Sequence, residues 1–265
     1  MKLKKKTDIL LSMNITITKT NLLTFGNGNA KLGKEIATFS LPSGYTCPMA
    51  LHCLSKADKA TGKITDGSET LFRCFSASQE ATFPNVRRAR WSNFEALRSV
   101  ASNASTLSDL INANLPKQNI VRVHVAGDFY SQSYLDAWLE VARNNPKKIF
   151  YAYTKSLTFW VARLNEIPSN FKLNASRGGK HDALIDTHGL KFAEVVFSEQ
   201  EAADKGLLID HDDTHAFAQD KSFALLLHGV QAKGSKAASA LKELKKQGKG
   251  GYPSKKKTSL AVVLP

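Results

Sequence analysis

The amino-acid sequence predicts an α/β fold in which mostly parallel strands alternate with helices. Two observations carry that prediction: from Ile36 onward six short apolar runs have strand character, and segments with helical spacing of apolar residues fall between most of them. A third bounds it: 265 residues at 42% hydrophobic suffice for one substantial core, with no apolar run near the roughly 18–20 residues that cross a bilayer. The sheet is either open and doubly wound or part of a barrel, and in both cases functional groups gather at the C-terminal ends of the strands.

In chain order, residues 1–20 form a basic N-terminal tail, with Lys2, Lys4, Lys5 and Lys6 followed by an ITITK stretch that suits an edge strand or a loose segment. Residues 21–33, rich in Gly and Asn, read as turn, and 35–41 as the first buried strand. A cysteine loop, 47–74, follows; its polar middle, with Thr61-Gly62 and Asp66-Gly67, reads as a surface hairpin. After Pro84 a helix is expected in which Val86, Ala89, Phe94, Leu97 and Val100 share the apolar face, while Arg87, Arg88, Arg90 and Arg98 stand on others. A shorter helix spans 106–115 behind a Thr or Ser cap.

Residues 119–126, alternating Val121, Val123 and Val125, form the second strand, and a helix over 133–144 carries Leu135, Trp138, Leu139 and Ala142 at helical spacing. Residues 149–154 are the third strand, 157–165 a helix stopped by Pro168, 171–175 the fourth strand, 192–197 the fifth, 200–205 a short helix and 222–228 the sixth strand. A Lys-rich helix over 235–247 closes a single domain of residues 21–247, and 248–265 is a basic C-terminal tail.

The formal charge of +14 favours a polyanionic partner, which points to nucleic acid or a nucleotide. Part of the excess lies at the ends, where solvated basic tails are the plainer reading. The Lys-rich start has too short an apolar segment for a signal peptide, and an odd count of three cysteines fits a reducing compartment. The expected location is therefore the cytoplasm, with no membrane partner; nothing in the pattern sets an oligomeric state.

All three cysteines, Cys47, Cys53 and Cys74, fall in one loop after the first strand. Three soft donors leave one position open on a four-coordinate metal or cluster, which makes them candidate metal ligands; three small buried side chains are the plainer alternative. Other strand ends offer Asp128, then Thr154 and Lys155, then Asn174, Ser176 and Arg177, then Ser198 and Glu199, and finally His228. Asp128 alternatively caps the helix that follows it.

The segments TFSLPSGYTCPMALHC, FRCFSASQEATFPNVRRARWSN, VRVHVAGDFYSQSYLDAWLEVA and FYAYTKSLTFW, with LNASRGGKHDALID, VVFS, IDHDDTHA and FALLLHG, together resemble the phage and plasmid family known as gene product 88, from about residue 37 to 228. That resemblance assigns no reaction. Members resemble one another in a compact cysteine cluster ending in Cys-Tyr-Ala, which corresponds here to Cys74-Phe75-Ser76-Ala77 after an insertion. The compact version is similar to the three-cysteine loop of radical S-adenosylmethionine (SAM) enzymes, which hold a four-iron four-sulfur cluster through three thiolates on a six-stranded partial (β/α) barrel.

The likeness implies a partial barrel here, an iron–sulfur cluster on Cys47, Cys53 and Cys74 with zinc as the alternative, and SAM as a cofactor. It makes Asp128 and Lys155 candidate catalytic residues and Asn174, Ser176 and Arg177 candidate cofactor contacts. The spacing of five residues and then twenty departs from the three-then-two radical SAM pattern.

A second constellation, His181, Asp182, Asp186 and His188 with Asp210, His211, Asp212, Asp213 and His215, offers donors for a divalent metal and hydrolysis, against a plainer reading as turns and caps. The run Arg177-Gly178-Gly179-Lys180-His181 could hold a phosphate through backbone amides, although it lacks P-loop spacing. Aromatics beside cations at Arg73-Phe75, Arg90-Trp91 and Tyr151-Tyr153-Lys155 suit stacking on bases, or core packing. A non-enzymatic nucleic-acid-binding protein, working through the helix around Arg87 to Arg98, is thus the main alternative to an iron–sulfur enzyme.

Overall fold

A computed structural model describes residues 22–29, 32–100 and 103–249, so the ITITK stretch and nearly all of both expected tails lie outside the described residues. Along the chain come β1 (Gly26–Asn29), β2 (Gly33–Thr38), β3 (Ser55–Ala57), β4 (Ile64–Asp66), α1 (Phe75–Thr82), α2 (Pro84–Arg98), α3 (Ala104–Asn114) and β5 (Ile120–Val123). There follow α4 (Gln132–Asn144), β6 (Ile149–Thr154), α5 (Leu157–Val161), β7 (Phe171–Ser176), α6 (Ala183–Thr187), β8 (Phe192–Val196), α7 (Glu199–Asp204), β9 (Leu208–Ile209), α8 (Thr214–Ala218), β10 (Phe223–Leu226) and α9 (Lys236–Lys246).

Eight strands form one sheet in the order β1-β2-β5-β6-β7-β8-β10-β9, while β3 and β4 pair as a separate hairpin. β1 runs antiparallel to β2, and every other pairing in the large sheet is parallel. This is the expected mostly parallel α/β architecture. From β2 to β8 the spatial order follows the chain without reversal, so the sheet has no switch point of the doubly wound kind.

Period-two alternation divides the two faces. Val121, Val123, Phe150, Ala152 and Phe171 pack against Leu97, Leu110, Ile111, Trp138 and Leu139 of α2, α3 and α4 on the outer face. Ile36, Ile120, Tyr151, Ala193 and Phe223 face the other way and meet Ala216 and Phe217 of α8. The ladder ends at β1 and β9, and α1 spans the gap at the C-terminal mouth: Ser76 Oγ donates to Val125 O and Ser78 Oγ to Val230 O, joining the segments beyond β5 and β10.

Several expectations change. The Gly/Asn segment read as turn contains β1, which has no side-chain signal and forms by borrowing the ladder of β2. The second strand stops at Val123 because His124 adopts φ 69, a left-handed conformation that bulges it out before Val125 N–H donates to Phe39 O. The helix over 157–165 is a single turn to Val161 followed by a 3₁₀ turn, and α3 starts at Ala104 with Asn103, not Thr or Ser, accepting from Thr106 N–H.

The phase of α2 also differs. Its buried residues are Arg87, Arg90, Asn93, Ala96 and Leu97, about one position round the helix from the expected apolar stripe. Arg87 donates to Lys59 O, Ala60 O and Glu80 O, and Arg90 to Ser76 O, Gln79 and Glu80. Two arginines expected to face a polyanion therefore hold the fold, because a guanidinium with all its donors met can be buried where an apolar group was anticipated.

Candidate functional site

The cysteine loop arches over the C-terminal ends of β5 and β6. At one end it leaves β2, with Leu41 N–H bonded to Ala126 O; further on, Leu51 and His52 N–H donate to Gly178 O and Lys180 N–H donates to Met49 O beyond β7. An isolated antiparallel bridge joins Ala50 to Gly179. Two glycines permit this approach. A Cβ on Gly127 (φ 84) would lie 2.6 Å from Thr46 Oγ1, and one on Gly178 (φ 94) would lie 3.1 Å from His52 Cβ.

A buried carboxylate that sequence reasoning missed fixes the start of the loop. Glu80 Oε1 accepts from Ser43 N–H (3.0 Å), Ser43 Oγ (2.6 Å) and Arg90 Nη1 (2.7 Å). The available signal was a lone acid in SASQEAT just before an arginine-rich helix. The expected hairpin is present as β3 and β4, its turn held by Asp58 Oδ1, which accepts from Ala60 N–H, Thr61 N–H and Thr61 Oγ1.

Within this frame the three thiols are neighbours. Burial, then the charge of Asp128, then Cys74 and more weakly Cys53 push the Cys47 thiol well up, against a lowering bond from Gly44 N–H, 3.3 Å from the sulfur. Cys74 stands at the N-terminus of α1 and is pushed up to about 11 by burial and by Cys53, while the amides of Ala77 and Ser76 pull the other way. All three cysteines are free and half-buried. Among the described residues, no three His, Cys, Asp or Glu side chains stand as they are in an arrangement that could hold a metal ion.

Asp128 and Lys155 form the floor beneath the loop. Asp128 Oδ1 accepts from Phe129 N–H (2.7 Å) and Thr154 Oγ1 (2.6 Å), and Oδ2 from Lys155 N–H (2.8 Å). Burial nevertheless raises its pKa to about 6. Asp128 is not the helix cap: Ser131 caps α4 by accepting from Tyr134 N–H. Lys155 Nζ donates to Ser176 O, Ser176 Oγ and Arg177 O at 2.6–2.9 Å, which uses all three ammonium protons. The ends of β5, β6 and β7 are thereby tied into one network that includes Ser176.

Asn174 lies deeper, on the inner face, where Nδ2 donates to Ala152 O and Ala216 O. Arg177 turns outward to Asp186 (2.6 Å) and stacks on Phe192. The glycine run after β7 is already occupied. Gly178 and Gly179 N–H both donate to the Asp182 carboxylate (2.7 and 2.9 Å), so the amides that would cradle a phosphate hold an internal anion instead.

The second constellation separates into structural parts and a buried remainder. Asp186 pairs with Arg177, and Asp212 accepts from Thr214 at the start of α8. Asp210 and Asp213 are buried, the former 3.4 Å from His215 Nδ1 and the latter paired with Arg122 at 2.6 Å. Ser198 caps α7, and His228 Nδ1 lies 3.0 Å from Leu226 O with its ring against Phe75.

Among the described residues, no helix is long and apolar enough to cross a membrane. No solved structure matches the chain. It is similar to the gene 88 protein of Mycobacterium phage L5, 27% identical over 233 residues that cover 83% of this chain and 80% of that protein. The gene 88 protein of Mycobacterium phage D29 is 26% identical over 166 residues, 59% of each chain. The model of the gene product 88 family matches residues 16–246, and the chain belongs to that family.

Proposed function

We propose that this protein is an iron–sulfur, radical SAM-like protein in which Cys47, Cys53 and Cys74 share one cluster at the mouth of the sheet and a nucleotide or nucleic acid is the substrate. The observation that carries the reading is the mutual proximity of three thiols over the C-terminal ends of parallel strands. The donor set suits the group, since three thiolates are soft ligands and the amides of Gly44, Ser76 and Ala77 favour the charged form of two of them. The fit is one of donors, and side-chain rotation is needed to bring them into ligating positions.

When bound, such a cluster offers an iron open to SAM and supplies one electron. The chain's own residues do the rest. Burial keeps Cys47 and Cys74 protonated in the metal-free protein, so binding releases protons. The Asp128 carboxylate stands beside Cys47, and Lys155 fixes the backbone of the neighbouring strand end so that both hold their places. The formal charge of +14 supports an anionic substrate, although Arg87 and Arg90 are spent inside the fold.

Anaerobic reconstitution with iron and sulfide tests the reading. The wild type should gain a broad visible absorbance that a folded Cys47→Ser/Cys53→Ser/Cys74→Ser variant does not, and the reduced holoprotein should cleave SAM. Colour without SAM cleavage would remove the radical clause. Structural zinc is the second reading, favoured by how firmly the loop is pinned on both sides before any ligand is present.

A further inference from the structure

Above α8 the inner face of the sheet is walled but not filled. Tyr153, Ser176, Val195 and Leu225 alternate onto this face from interior strands and are only half-buried, as is Arg122, whose side chain is 17% exposed. Inward residues of a covered parallel sheet are ordinarily fully buried. Below them Ala216 and Phe217 close the base of a recess that opens toward the cysteine loop.

Polar groups with unmet capacity line the recess. Asn174 is 0% exposed, and among the described residues its Oδ1 has no partner, although Nδ2 is bound twice. The Tyr153 hydroxyl is buried without a hydrogen bond of acceptable geometry, although the Asp213 carboxylate is near enough, after burial, to help raise its pKa. Buried polar atoms are nearly always paired, so two such groups on one face point to an absent ligand.

The surrounding scaffold is rigid. Asp213 holds a left-handed φ of 67 while accepting from Tyr151 Oη (3.0 Å) and Arg122, whose guanidinium lies 4.9 Å from the Tyr153 ring centre. Phe223 stands 6.0 Å from Tyr153 and 5.7 Å from His215, centre to centre.

We propose that this recess binds a nucleobase, presented as a nucleoside, with its edge on Asn174 Oδ1 and the Tyr153 hydroxyl. Flat aromatic walls suit a planar ring, an amide oxygen accepts from an exocyclic amine or ring N–H, and a phenol donates to a ring nitrogen. The buried carboxylates Asp210 and Asp213 disfavour phosphate, so the base end enters. The proposal names the substrate class for the function proposed above and rests on that reading only in treating the recess as the substrate's place.

Equilibrium binding of adenosine, guanosine, cytidine, uridine and inorganic phosphate to the full chain tests it. At least one nucleoside should bind and phosphate should not. Tyr153→Phe, which removes only an unpaired hydroxyl, should leave thermal stability unchanged or higher while weakening that nucleoside about tenfold. Binding should persist in the folded triple Cys→Ser variant, which separates this proposal from the cluster. No binding by any nucleoside, equal binding by Tyr153→Phe, or loss of binding only in the triple variant would each overturn it.

Discussion

Replacing Arg90 with methionine should remove about 3–5 kcal/mol of folding free energy and release the start of the cysteine loop. The pair it breaks is desolvated, with side chains 5% and 0% exposed for Arg90 and Glu80. Glu80 Oε1 would keep only the neutral donors of Ser43, and its carboxylate would remain buried without a cation. Methionine restores much of the aliphatic volume, so the loss reports the charge more than a cavity. Against a typical stability of about 5–15 kcal/mol this is a large fraction.

Urea denaturation at pH 7, followed by tryptophan fluorescence, measures it. The double variant Glu80→Gln/Arg90→Met should recover part of the loss, because the charge is gone while Gln Oε1 can still accept from Ser43. A single variant within about 1 kcal/mol of wild type, or a double variant no better than the single, would refute the reasoning.

Gly127→Ala should destabilise by roughly 2–5 kcal/mol, summing left-handed strain with a clash against Thr46 Oγ1 and Leu41 Cβ, and should lower metal uptake on reconstitution. His124 is buried and its pKa is lowered to about 3, so its neutral form is favoured in the fold. Its contribution is intact above the unfolded pKa of about 6.5 and is lost as pH falls toward 3, at about 1.4 kcal/mol per unit. Asp128, raised to about 6, opposes this over part of the range, so the check is the difference in stability slope between wild type and His124→Asn from pH 4 to 7. In metal-free protein at pH 8, Cys74 should react with iodoacetamide far more slowly than an ordinary thiol, its thiolate fraction being roughly 10⁻³; peptide mass spectrometry showing rapid labelling would contradict the buried site.

The sheet was legible where burial on both faces made a strand unmistakable. Residues 149–154 were expected and found as β6, since Phe150 and Ala152 face the helices while Tyr151 and Tyr153 face inward. β1 was not, because Gly-Asn-Gly-Asn forms an edge strand through backbone bonds alone. α1 was missed for a related reason: Phe-Ser-Ala-Ser-Gln-Glu-Ala-Thr buries Ser76, Ser78 and Glu80, polar residues satisfied only by distant partners.

The same limit governed the site. Three cysteines in one loop were visible in the sequence, whereas Glu80, which positions that loop, needed Ser43 and Arg90 from elsewhere in the chain to explain its burial. Asn174 was singled out as a strand-end residue and lies instead between β6 and α8, because α8 crosses the inner face and no local pattern announces it.

The central claim is that Cys47, Cys53 and Cys74 hold one metal centre, and elemental analysis of anaerobically purified protein tests it most directly. Iron and sulfide in equal amounts, about four of each per chain and absent from the triple Cys→Ser variant, is the predicted result. Folded protein that carries neither iron nor zinc after reconstitution would contradict it.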